Sequence, residues 1–154
     1  MHHRKLLRTF AASLLFTCLI AARGEERGYW RAASNSARDV TGDITLADEK
    51  LTINFSTTAI SKARALEPAE VSAVFDTDAA TAGAGSLYHL NIPAAKKFLK
   101  KNTLCGAEDV RWMVAYASGN TLQIAFFSGD KPPVLTFEAI SGSADRCGTY
   151  TYVK

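Results

Sequence analysis

The chain is 154 residues long, 47% hydrophobic and 21% charged, with 18 Lys and Arg against 15 Asp and Glu for a formal charge of +3. Four of the basic residues (Arg4, Lys5, Arg8, Arg23) lie in the first 24 positions, and without them 14 basic residues face 15 acidic ones. That balance removes the electrostatic basis for a nucleic-acid binder, and the roughly 130 residues that follow suffice for one domain with one core.

Residues 1–24 read as a secretory signal peptide. MHHRKLLR supplies a basic n-region and TFAASLLFTCLIAA (9–22) an apolar h-region. The run is shorter than the about 20 apolar residues a membrane-spanning helix needs. Ala22 and Gly24 put small residues at −3 and −1, so cleavage is expected before Glu25. The mature protein is then periplasmic or extracellular.

Residues 25–39, EERGYWRAASNSARD, read as an irregular N-terminal arm, and 40–154 as a single globular domain. Gly28-Tyr29-Trp30 resembles the glycine-x-tryptophan triplet that opens lipocalin barrels; the reading taken is a tryptophan anchoring the arm on the core. From Val40 the pattern turns to strand. ITL (44–46) and KLTINF (50–55) alternate apolar with polar and form a hairpin, with Leu51, Ile53 and Phe55 on one face. TTAISKARAL (57–66) is a third strand with poorer alternation. Pro68 opens a short helix to Phe75, with Glu70 at the positive end of its dipole. DTDAATAGAG (76–85) is loop, and SLYHLNI (86–92) is strand. PAAKKFLKKN (93–102) reads as a second helix, with Ala94, Ala95, Phe98 and Leu99 inward and Lys96, Lys97, Lys100 and Lys101 outward.

VRWMVAY (110–116) and LQIAFF (122–127) are two strands joined by a turn-rich linker. The first is apolar on both faces, which predicts a central strand covered on each side. Phe126 and Phe127 point opposite ways, so one of them needs a cover beyond the first core layer. VLTFEAI (134–140) is strand or short helix, and GTYTYV (148–153) a last strand. With Cys18 lost in the leader, Cys105 and Cys147 form an even pair suited to one disulfide in an oxidising compartment. The expected fold is mainly β with α+β character: a curved or partly closed antiparallel sheet with two short helices and one disulfide.

Five stretches, TGDITLADEKLTINF (41–55), LEPAEVSAVFD (66–76), LNIPAAKKFLKKNTLCG (90–106), LQIAFFSG (122–129) and CGTYTYV (147–153), are similar to those of a group of small exported proteobacterial proteins of unassigned function. The resemblance covers most of the chain after the leader. It implies export and a single domain, and it brings no catalytic residue, cofactor or ligand.

Chemistry-bearing residues are sparse. His89 is the one histidine after the leader, and as a general base it would need Ser86 or Ser118 beside it. Asp76-Thr77-Asp78 opens like a calcium loop, but Ala80, Thr81 and Leu87 then stand where a ligand, a glycine and a glutamate are required. Asp43, Glu108, Asp109 and Glu138 are carboxylates that a glycosidase would pair across a groove. The expectation is therefore no catalytic residue, no cofactor and no metal. It is a non-catalytic binding module, a hydrolase inhibitor being one form of it, with an envelope or host protein as partner and no nucleic acid. Lys96, Lys97, Lys100, Lys101 and Trp30 are the candidate contact residues, and the lysines also suit an anionic membrane surface. A small hydrolase built on His89 or a carboxylate pair, and a structural envelope protein, are the alternatives.

Overall fold

Alternating apolar and polar residues make eight strands in the computed structural model, which describes residues 25–154; the signal-peptide reading lies outside the described residues. The strands are β1 (Gly28–Ala32), β2 (Ile44–Leu46), β3 (Lys50–Ile53), β4 (Ser56–Leu66), β5 (Gly85–Ile92), β6 (Val110–Ser118), β7 (Thr121–Phe127) and β8 (Arg146–Val153). Each pairs antiparallel with its neighbour in sequence, and β1 also pairs with β8, so the sheet is a closed barrel. The expected antiparallel, mainly β fold with one disulfide is the fold observed. Closure removes the edges that an open sheet would leave unpaired.

β1 corrects the reading of 25–39 as an irregular arm. Gly28, Tyr29 and Trp30 face Leu46, Thr45 and Ile44 of β2, while Arg31 and Ala32 face Val153 and Tyr152 of β8. Trp30 is wholly buried in the barrel, so it anchors the wall and presents nothing to a partner. Its indole Nε1 donates to the Glu26 carbonyl at 2.8 Å, and the Lys154 ammonium lies 4.8 Å from the ring centroid. That places a cation against an aromatic face, a favourable contact.

Side chains fill the barrel. Trp30, Met113, Leu122, Ile124, Phe126 and Tyr152 have no solvent exposure at all. A second apolar layer lies outside the wall of β5, β6 and β7: Leu87, Trp112, Val114, Ala125 and Phe127 pack under α1 (Pro68–Phe75) and α2 (Phe137–Ser141). β6 is thus covered on both faces, as its apolar pattern requires, and Phe126 goes inward while Phe127 meets the helices. Helix α1 starts with a capping box, Glu67 with Glu70, and a proline in its first turn. It ends on Asp76 in the left-handed region, φ 54°. The ambiguous segment 134–140 resolves as α2, started by Thr136, whose hydroxyl accepts from the Ala139 N–H. The irregular alternation of 57–66 comes from a bulge between Lys62 and Arg64, which shifts the two-residue period.

Two segments cap one end of the barrel. A π-helical turn, Ala37–Thr41, lays Thr41 over Tyr152, the two hydroxyls 2.7 Å apart. Beside it runs 93–105, and here the expected helix is absent. Among these residues the only helical turn is a 3-10 piece, Leu99–Lys101, in which Lys100 and Lys101 have φ of 52° and 59°. Tertiary contacts override the helical period: Phe98 is buried in the core, Leu99 packs on Gly42, and the Ala94 N–H donates to Asp109 Oδ1 at 2.8 Å. Asn102 Nδ2 donates to the Asp39 carbonyl at 3.1 Å, and Lys100 pairs with the Asp39 carboxylate. The Cys105–Cys147 disulfide, with a sequence separation of 42, fastens this segment to the start of β8.

Replacing both cysteines by alanine is expected to lower unfolding free energy by about 4 kcal/mol, the chain-entropy value for a loop of that length. Urea denaturation of the oxidised protein and the double variant measures the difference, and a loss below 1 kcal/mol would contradict a stapling role.

Candidate functional site

The lysines expected on one helical face do not share one. Lys96, Lys97 and Lys101 are exposed on the irregular segment, and Lys100 is engaged with Asp39. His89 points outward from β5, its ring edge-on to Trp112 with centroids 4.9 Å apart. Ser86 lies three residues along the same strand and faces inward with Tyr88, so it cannot meet His89. Ser118 sits at the far end of β6, beyond the Ser86–Ala115 pair. The fold does not assemble a histidine–serine couple.

The carboxylates are dispersed as well. Asp109 accepts from the Ala94 N–H and from Arg111 at 3.1 Å, Glu138 stands in the first turn of α2, and Asp43 precedes β2. Asp76 terminates α1, and Asp78 Oδ1 accepts from the Ala80 N–H at 2.9 Å, a turn-stabilising role.

Two places gather functional groups instead. The first is the uncapped end of the barrel, where residues 25–27 cross the mouth beside a cleft of about 550 Å³ lined by Glu26, Arg27, Asp48, Lys62, Ser86 and Tyr88 among others. Glu26 is half-buried, and Tyr88 donates its hydroxyl to Glu26 Oε2 at 2.8 Å. Burial raises the Glu26 pKa above its ordinary value, against the opposing pull of the Tyr88 and Ser86 hydroxyls and of Lys62. Burial and the adjoining carboxylate also push the Tyr88 phenol up. The group fastens the start of β1 to β5.

The second is the outer face of β1–β4. Tyr29, Thr45, Thr52 and Thr57 stand opposite one another across the four strands. Thr52 and Thr57 hydroxyls are 3.0 Å apart. Strands β3 and β4 join through only two residues, Asn54 and Phe55, since Ile53 pairs directly with Ser56. Both have positive φ, 46° and 64°, the signature of the mirror-image turn that hairpins favour. Such a turn prefers asparagine and then glycine, and a bulky residue there is strained by roughly 1–2 kcal/mol. Phe55 occupies the strained position and is 99% exposed. This corrects the expectation that it joins Leu51 and Ile53 on the buried face, for the strand stops at Ile53. Tyr29 is 58% exposed on the same wall, and its hydroxyl donates to Asp43 Oδ2. Asp43 Oδ1 accepts from the Ala32 N–H at 2.9 Å. The Tyr29 hydroxyl and that N–H hold the Asp43 carboxyl below its ordinary value, and the bond to Asp43 raises the Tyr29 phenol. A shallow cavity of about 330 Å³ runs among these groups.

Phe55, Tyr29 and Glu26 were not singled out together by the sequence. The available signal was Asn54, a turn residue placed between two alternating stretches where a two-residue hairpin fits. Comparisons of the chain with protein-family models, with curated proteins and with solved structures found no match.

The Glu26 carboxyl is raised in the folded state, so its contribution to stability is present when protonated and is lost as pH rises through the folded pKa. Glu26→Gln keeps an acceptor for Tyr88 without a charge. The stability of the variant relative to the parent is therefore expected to increase from pH 4 to pH 7, measured by thermal melts across that range. An unchanged difference would refute the burial argument.

Proposed function

We propose that the chain is a non-catalytic binding module, exported to the periplasm or the cell exterior, that recognises its target through the outer face of β1–β4. One observation carries the reading: Phe55, a large aromatic at 99% exposure, is held in a strained two-residue turn beside the exposed Tyr29. Strain at a fully exposed residue has no packing benefit to offset it, and such residues concentrate at recognition sites. The filled interior supports the same reading, because a barrel packed with Trp30, Phe126 and Tyr152 leaves its outside to do the binding. The oxidised cysteine pair and the leader-like first 24 residues support export. The placement of His89 and Ser86 on opposite sides of the wall weighs against the histidine version of the hydrolase alternative.

Phe55 offers a test in which stability and function move in opposite directions. Phe55→Gly relieves strain of about 1–2 kcal/mol and adds chain entropy of about 0.5–1 kcal/mol, while the exposed ring gives up no core contact. The variant is expected to melt at or above the parent temperature. In co-sedimentation with isolated cell envelopes it is expected to lose at least tenfold in retained protein. Charge reversal of Lys96, Lys97 and Lys101 in the same assay reports the competing surface. Retention that follows the lysines and ignores Phe55 would reject the β1–β4 face.

A further inference from the structure

The chemistry of this face narrows its ligand. Resting on the reading just given, we propose that the Tyr29–Phe55 face binds a neutral glycan chain.

The floor between the two aromatic rings is amphipathic, with polar groups set into a mostly apolar surface that includes Ile44. Thr45 and Thr52 project outward from paired positions on β2 and β3, and Asn54 and Asp43 complete the cavity wall. The hydroxyls, amide and carboxylate set into it stay hydrated until a ligand replaces those hydrogen bonds, while the apolar surface beside them favours a ligand with an apolar face of its own. A pyranose ring meets both demands. Its axial C–H groups make an apolar face that lies on an aromatic ring, and its equatorial hydroxyls donate to carboxylate oxygens and exchange bonds with threonine and asparagine.

Asp43 is suited to accept them. Each of its oxygens already accepts one hydrogen bond, from the Tyr29 hydroxyl or the Ala32 N–H, and each keeps a further lone pair. Those two bonds also fix the carboxylate in place, so no side-chain freedom is lost on binding. The exposed negative charge argues against an acidic polysaccharide or a phosphate-bearing ligand. Tyr29 stands on a strand with its hydroxyl tied to Asp43, and Phe55 on a two-residue turn, so the backbone positions of both aromatics are set before the ligand arrives. A cavity of about 330 Å³ open to solvent suits one or two sugar units of a longer chain passing over the surface.

The experiment is calorimetric titration of the purified, disulfide-intact protein with cellohexaose, chitohexaose and xylohexaose, repeated with Tyr29→Ala, Phe55→Ala and Phe55→Gly. Binding of at least one hexasaccharide is expected, weakened tenfold or more by each substitution, with melting temperatures showing that the barrel is intact. Asp43→Asn removes the charge and keeps the shape, and is expected to weaken binding of the neutral hexasaccharide while relieving the exclusion of an acidic oligomer such as hexagalacturonate. No heat with any of the three neutral glycans, or binding indifferent to both aromatic residues, overturns the glycan assignment. If envelope retention still depends on Phe55 in that case, and survives removal of polysaccharide but not proteolysis, the target is a protein and the wider reading stands. If retention is also indifferent to Phe55, both fall.

Discussion

Everything in this molecule follows from the way one five-residue strand closes the barrel. β1 gives its first three residues to β2 and its last two to β8, so a strand with a single buried large side chain bridges both ends of a seven-strand meander. Without it, β2 and β8 would each expose a row of unpaired N–H and C=O groups. Trp30 makes the closure favourable. Burying a tryptophan contributes several kcal/mol on the usual area scale, and its N–H and its ring face both find partners in Glu26 and Lys154. Closure has a functional cost too. The interior becomes a core, which leaves the outer walls and the two ends as the surfaces on which the proposed recognition can occur.

The two ends are finished by different means. One is plugged by the π-helical turn and by residues 93–105, and the plug is held by a buried hydroxyl pair, by Asp39 and by the disulfide. The other is crossed by residues 25–27, whose main tie is the half-buried Glu26 hydrogen-bonded to Tyr88. A covalent staple does not loosen with pH, whereas a carboxylate held above its ordinary pKa does. The tie at the mouth beside Glu26 is therefore the one that depends on pH. The β1–β4 face runs up to the plugged end, where the Asn54–Phe55 turn lies beside Thr41 and Gly42, and its geometry is set by strand pairing.

Segments whose hydrophobic pattern is long were legible from the sequence. The β6–β7 hairpin, helix α1 with its capping residues, the opposite orientations of Phe126 and Phe127, and the disulfide all appear where the pattern places them. The failures have physical causes. β1 has one buried residue in five useful positions, because Tyr29 and Arg31 face solvent, and one tryptophan cannot establish a period. Residues 93–102 have helical spacing, yet Phe98 and Leu99 are drawn to different neighbours and the backbone reverses at Lys100. Phe55 looked apolar and in phase, and only the turn between Ile53 and Ser56 takes it out of the core. For the candidate site, residue type was misleading: an exposed phenylalanine is read as core by any hydrophobic pattern.

That last error bears on function. A turn of this kind is most stable with glycine after asparagine, and Phe55 forgoes about 1–2 kcal/mol by being there. A protein of this size holds only about 5–15 kcal/mol in total, so the concession is appreciable. It is tolerable because closure is complete and the disulfide contributes on the order of 4 kcal/mol. Strain at one exposed turn is thus offset by barrel closure and by the disulfide. A longer, relaxed loop would have carried the same ring without strain, but it would have had to order on binding, at about 0.5–1.5 kcal/mol for each immobilised side chain. A two-residue turn moves the backbone part of that cost into folding, where the rest of the barrel offsets it, and sets the position from which the exposed ring projects.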